Sequence, residues 1–442
     1  MNFVCLTPEA LEALRDPQAE VSEHRLREAP SGVGVSPEVA PPPDAKAVYG
    51  GTYANHFETA NFTINWEDGQ ATPAEAARAA EALEASWTYF VDEQGWAPPV
   101  SSDRYYVWVI LVNDLGATGF TTEYYTSEYP QGYPVIYLNS TWAYDEAFWR
   151  SLAVHEFHHG LQYAARELGS GSEESWYWEA SASWASLLVE PDSAALDYTV
   201  PWYSDQSTLS YDSATGSHAY GMMVFNAWLD LAGVGAGTMQ RIWAEGGAQP
   251  GASWRGIIED ATGRSAGDLW ASFASDFGND TYGRTATWAD PPITELTAGE
   301  SVHGSADELG SAYYAADTDV WIDPHWVAGE GSLDVRFPGQ AGAAPWLVPA
   351  GTVVAVTTTE GPLSVWSIVV RDGPFGDTGS DVDTGDTGDF GDSSAPDGVH
   401  PSDADSPSCG CAVPSPARWP AGAVTGFAAL WLARRAKPGA SR

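Results

Sequence analysis

The chain has 442 residues, with 60 Asp and Glu against 19 Lys and Arg, and a net charge of −41. So negative a surface repels phosphate, which excludes nucleic acid and acidic membrane surfaces as partners. Three cysteines, two of them near the C-terminus, rule out a disulfide-built scaffold, and the 21 tryptophans are read mostly as core residues.

Residues 1–48 hold Cys5 and a short acidic helix-like stretch and are Pro-rich around Pro41 to Pro43, so they are read as a largely disordered leader or propeptide. Met1 to Ala19 lacks the basic region and apolar core of a signal peptide, so the export suggested by the C-terminal tail below implies a start other than Met1; with Met1 as the true start, export is not expected. Asn55 to Trp66 alternates like a strand. Pro73 to Gln94 is an Ala/Glu-rich amphipathic helix, and Tyr105 to Val112 and Tyr133 to Asn139 are apolar strands.

The next segment carries the chemistry. Phe148, Trp149, Leu152, Ala153, Phe157, Leu161 and Ala164 recur mostly at three- and four-residue steps, as on an amphipathic helix, and within it His155, Glu156 and His159 spell H-E-x-x-H. Residues four apart lie about 40° from each other around a helix axis, so both imidazoles can reach one metal ion. Glu156 beside them can take the proton of a water attacking a carbonyl that the metal polarises. The plain alternative, a core helix with hydrogen-bonded histidines, does not account for the Glu. His158 can pair with His155, but that register contains no Glu-assisted motif, so His158 is read as a flanking residue.

A third protein ligand is expected, with one position left for water. The continuation H-E-x-x-H-x-x-G-x-x-H is excluded by Gln162 and Ala165. A turn at Gly169 to Ser172 leads instead into a second helix-compatible run, Glu173 to Glu190, with Glu179 at its centre. Glu173, Glu174 and Glu190 compete for the role. The first two stand at the helix start, where the dipole favours acidic side chains for structural reasons, and Glu190 precedes Pro191 at the end.

With the candidates in this order, residues 151 to 188 resemble the gluzincins, the thermolysin-like zinc peptidases, in which a Glu on a helix after H-E-x-x-H completes the site. The resemblance implies that His155, His159 and Glu179 bind zinc (Zn2+) and that Glu156 activates water. Trp176, Glu179, Ala182 and Trp184 follow a Trp-x-x-Glu-x-x-Ala-x-Trp pattern, and small residues after the Glu are typical of such ligand helices. Thermolysin has an Asp four residues after the ligand Glu; here Ser183 stands there, so a different support for the histidines is expected. Thermolysin-like enzymes also set a His and a Tyr from downstream elements against the oxyanion, and His218 and Tyr220, opening the helix-compatible run Ser217 to Leu229, are similar in residue type. Packing or capping is the alternative for each. Most tryptophans are read as core, although Trp176, Trp178 and Trp184 flank the proposed ligand and are in position to line a subsite for an apolar side chain or a sugar.

The expected fold class is α+β. A zincin-like metallopeptidase domain spans 49–285, its sheet stacked on the metal helix above a lower lobe of helices from 146 to about 279, with a cleft for an extended peptide. Residues 286–372, with the short apolar runs Asp319 to Asp323, Leu333 to Phe337, Val353 to Val356 and Val365 to Val370, read as a small all-β sandwich. Residues 373–408 form an acidic linker with Asp-Thr-Gly repeats starting at Asp377, Asp383 and Asp386 and no EF-hand spacing. Residues 409–442 hold Cys409 and Cys411, an apolar run from Ala421 to Ala433 too short to span a bilayer comfortably, and Arg434 and Arg435. They resemble the C-terminal sorting tails of myxobacterial surface proteins, which implies attachment to the cell envelope through one of the cysteines. The function expected is a zinc-dependent peptidase acting on protein or peptide substrates at the cell surface or outside the cell. The alternative is a surface adhesin or glycan-binding protein whose zincin domain is inactive.

Overall fold

A computed structural model of the chain describes residues 53–374, except 104, 114, 116, 124–133, 166–174, 192–193, 216, 282–289, 330–331, 341–342 and 360–362. The leader, nearly all of the acidic linker and the tail with Cys409 and Cys411 therefore lie outside the described residues. The fold is α+β. The described residues up to Gly373 belong to one compact unit, and among them no helix is long and apolar enough to cross a membrane.

The N-terminal sheet has the order β1-β2-β3-β5-β4, from Asn55–Glu58 (β1), Phe62–Trp66 (β2), Val107–Val112 (β3), Gly119–Glu123 (β4) and Pro134–Asn139 (β5). β2, β3 and β5 run parallel, and β1 and β4 are antiparallel edges. The expected single strand from Asn55 to Trp66 is thus a hairpin, broken where Thr59 accepts from and donates to Phe62. The apolar run of β3 serves both faces. Val107, Val109 and Leu111 join the main core, while Trp108 and Ile110 join a smaller cluster with Phe120, Val135 and Tyr137.

Helix α1 (Pro73–Trp87) starts at a capping box in which Thr72 and Glu75 satisfy each other's backbone N–H groups, with Pro at the start where no donor is needed. Its buried Ala76, Ala79, Ala80 and Leu83 let α2 (Glu146–Ala165) approach closely, and the Trp149 indole donates to the Glu75 carbonyl at 3.1 Å. α2 was expected to be amphipathic. It is instead buried all round from Phe148 to Tyr163, Arg150 apart, so its polar residues do not mark a solvent face. Helices α3 (Ser175–Val189), α4 (Ala194–Ser204), α5 (His218–Gly221), α6 (Met223–Trp228), α7 (Thr238–Ala248), α8 (Trp254–Thr262) and α9 (Ala266–Gly278) complete the helical layer.

Two four-stranded sheets follow, β10-β12-β8-β6 and β11-β9-β13-β7, antiparallel apart from the β6/β8 pair. Their strands are Ile293–Glu295 (β6), Ser301–Asp307 (β7), Ser311–Ala315 (β8), Val320–Gly329 (β9), Leu333–Arg336 (β10), Trp346–Val348 (β11), Val353–Thr358 (β12) and Leu363–Arg371 (β13). Val320, Ile322, Val354, Val356, Trp366 and Ile368 from both sheets share one core. A second set, Leu309, Tyr313, Val353 and Ala355, joins the core of the helical layer. Asn279, capping α9, donates to the Val353 carbonyl at 2.7 Å and accepts from its N–H at 2.9 Å, and the Tyr203 and Tyr313 hydroxyls meet at 2.6 Å.

Candidate metal centre

His155 and His159 stand one turn apart on α2, and Glu179 reaches them from α3, which packs alongside. All three are buried, His155 with 8% of its surface exposed and Glu179 with 2%. The Nε2 atoms of the two histidines are 3.2 Å apart, and Glu179 Oε2 lies 3.1 Å from His155 Nε2 and 3.8 Å from His159 Nε2. A tetrahedral zinc ion with bonds of about 2.0–2.1 Å has ligand-to-ligand edges of about 3.3 Å, so these three donors outline one face of such a tetrahedron. The group can hold a metal ion.

The protonation states agree with that. Burial pushes the His155 imidazole down to about 3 and His159 down to about 4, the latter held up in part by Glu179. Both rings are neutral near pH 7, the form that binds metals. The His159 tautomer follows from its neighbours. The Gln162 amide nitrogen donates to the Trp178 carbonyl at 3.0 Å and to Ser181 Oγ at 2.8 Å, so its oxygen, 2.7 Å from His159 Nδ1, accepts the Nδ1–H. That leaves the Nε2 lone pair aimed at Glu179. His155 Nδ1 lies 3.5 Å from Ser183 Oγ, at the outer limit of a hydrogen bond. Gln162 therefore supplies the firm support and Ser183 a weak one. Gln162 entered the sequence reading only as the residue that excludes a longer motif.

Glu156 is fully buried against the edge strand β4, where Thr121 Oγ1 lies 3.0 Å from its Oε2 and 2.7 Å from its backbone oxygen. Sequence reasoning missed both the strand and Thr121, because Gly-Phe-Thr-Thr-Glu is short and lacks alternation.

The remaining candidates separate. Tyr220, half-buried, stacks on His155 with ring centroids 6.1 Å apart, and the edge of Trp202 meets Tyr220 at 5.8 Å. His218 is buried; its Nε2–H donates to the Ser210 carbonyl at 3.0 Å and its ring lies by Tyr203, while burial lowers its pKa to about 4. His158 sits among the rings of Phe90, Trp96 and Trp184. Glu190 pairs with Arg150 at 2.7 Å, and Glu173 and Glu174 lie outside the described residues. Trp176, Trp178 and Trp184 do not form a subsite, for each is 3% exposed or less. They look inward from α3, whereas Tyr220, beside His155, and Trp202, against Tyr220, are partly exposed.

Residues 41–258 match the model of a family described as a family of unknown function, DUF6055. The matched stretch contains His155, Glu156, His159, Glu179 and Tyr220, and it ends inside α8. Comparison with curated proteins gives no match.

Proposed function

We propose that the protein is a zinc-dependent peptidase of the gluzincin type. The observation that carries this reading is the closed triangle of His155 Nε2, His159 Nε2 and Glu179 Oε2 at 3.1 to 3.8 Å, with Glu156 next to a ligand on the same helix. Zinc held by these three would lower the pKa of water at its open position and polarise a carbonyl oxygen. Glu156 takes up the water's proton and passes it to the leaving amine. Tyr220 donates its O–H to the oxygen that gains negative charge, a role supported by its half-buried ring beside His155. His218, tied to Ser210, acts by holding α5. β4 ends its sheet beside Glu156, and an extended peptide can pair with such an edge. A binding module with an inactive metal domain, the competing reading, has no use for a general base next to the ligands. Location rests on the sequence of the tail, from which we infer export and attachment to the bacterial cell envelope.

The test uses zinc content and hydrolysis of a quenched-fluorescent peptide library together. Glu156→Gln keeps zinc and loses nearly all cleavage, since the amide cannot accept the proton. Glu179→Ala loses zinc as readily as His159→Ala. Full cleavage by Glu156→Gln excludes the mechanism, and full zinc occupancy in Glu179→Ala moves the third ligand elsewhere.

A further inference from the structure

We propose that strand β4 fixes the water-activating carboxylate, with Gly119 and Thr121 as positioning residues for Glu156; the inference rests on the peptidase reading above. Glu156 has no exposed surface, so neighbours alone decide where its carboxylate points. One of them pulls. The Thr121 hydroxyl lies within hydrogen-bonding distance of both ends of the residue, Oε2 at 3.0 Å and the backbone oxygen at 2.7 Å, and so ties the carboxylate to its own turn of α2.

Thr121 cannot follow a wandering side chain. It is fully buried, it is held in register opposite Ile136 of β5, and its own carbonyl accepts the Tyr163 hydroxyl at 3.3 Å, so α2 grips the same strand again further along.

A second neighbour confines. Gly119 is two residues earlier on β4 and so shares a face with Thr121. A Cβ at this position would lie 2.9 Å from Glu156 Oε1, 3.1 Å from its Cγ and 3.0 Å from the Tyr137 carbonyl oxygen. Its φ is not among the positive ones, so room for the Glu156 side chain, not backbone conformation, is what requires glycine. A strand that merely tethered α2 needs only the bond to the backbone oxygen. A hydroxyl on Oε2, and a strand that leaves no room for a side chain beside Oε1, are what a positioning role requires.

The full-length zinc-loaded protein and the same peptide library test this, with kcat, KM and zinc content measured for each variant. Thr121→Val keeps the shape and removes the hydroxyl. It lowers kcat about tenfold with KM and zinc unchanged, and Thr121→Ser restores most of the loss. Gly119→Ala forces the carboxylate to move, because the Tyr137 oxygen is backbone held in the sheet, and lowers kcat about a hundredfold with zinc retained. Should Thr121→Val fail to fold, Gly119→Ala carries the test. Parent-like kcat in the folded variants, losses that track zinc loss, or a serine that restores nothing overturns the inference while leaving the peptidase reading intact. A parent protein that cleaves no library member overturns the reading itself, and the inference falls with it.

Discussion

Gln162→Leu removes a side chain that fixes the His159 tautomer, at nearly the same volume. Three hydrogen bonds go with it, at 2.7, 3.0 and 2.8 Å, but they are not equivalent. The Trp178 carbonyl keeps its place in the ladder of α3, and Ser181 still donates to the Tyr177 carbonyl at 2.7 Å. His159 Nδ1–H is left buried without its acceptor, at a cost of about 1–3 kcal/mol to the metal-free fold. The ring is then free to present either nitrogen. Loss of such an outer support lowers metal affinity about 10- to 100-fold, equivalent to about 1.4–2.7 kcal/mol. The assay is competition for zinc against a chromophoric chelator at pH 7, with urea unfolding of the metal-free proteins to check the fold. A folded Leu variant whose zinc affinity is within about twofold of the parent would refute the argument, because the tautomer would then not depend on Gln162.

His218 gives a pH prediction. Its folded pKa is lowered to about 4 by burial, so between the unfolded value near 6.5 and about 4 the unfolded chain binds a proton that the native chain does not. Its contribution is fully present above that window and falls by about 1.4 kcal/mol per pH unit within it; urea unfolding of metal-free protein at pH 7 and pH 5 should show a smaller loss in His218→Gln than in the parent, and equal losses would contradict the shift. Gly221→Ala puts a Cβ 2.4 Å from the Tyr203 backbone nitrogen and 2.9 Å from the Trp202 carbonyl carbon, so α5 has to leave α4 and carry Tyr220 away from His155. Overpacking of this kind costs about 1–3 kcal/mol, and we expect a lower Tm and a lower kcat with zinc retained; parent values of both would show that α5 yields without consequence.

The ligand set was legible because His155, His159 and Glu179 stand at spacings that helices convert directly into proximity. Gln162 was visible as a residue but not as a partner, since only the packing of α3 on α2 shows that its amide nitrogen is already engaged. Thr121 and Gly119 lie far from α2 in sequence, and the strand that brings them to Glu156 is too short to announce itself. The expectation of an amphipathic α2 failed for a related reason. Its polar residues face the candidate metal site, strand β4 and other helices, so the polarity pattern carries no information about solvent. The same limit misled the reading of Trp176, Trp178 and Trp184, whose nearness to Glu179 along the chain says nothing about which way α3 turns them.

The C-terminal sheets change what counts as the smallest working piece of this molecule. The family match stops at residue 258, partway along α8, and the change in composition near 285 suggests a tidy cut between two separable parts. Contacts among the described residues cross both positions. A chain ended after Asn279 would bare Tyr203 and Gly278, where Tyr313 and Val353 now lie, and would strip Asn279 of the backbone it holds. Shuffling the half with the candidate metal site into another protein would therefore need either these sheets or a redesigned face on α4 and α9. A search for activity in the N-terminal half alone would report on a damaged core before it reported on chemistry.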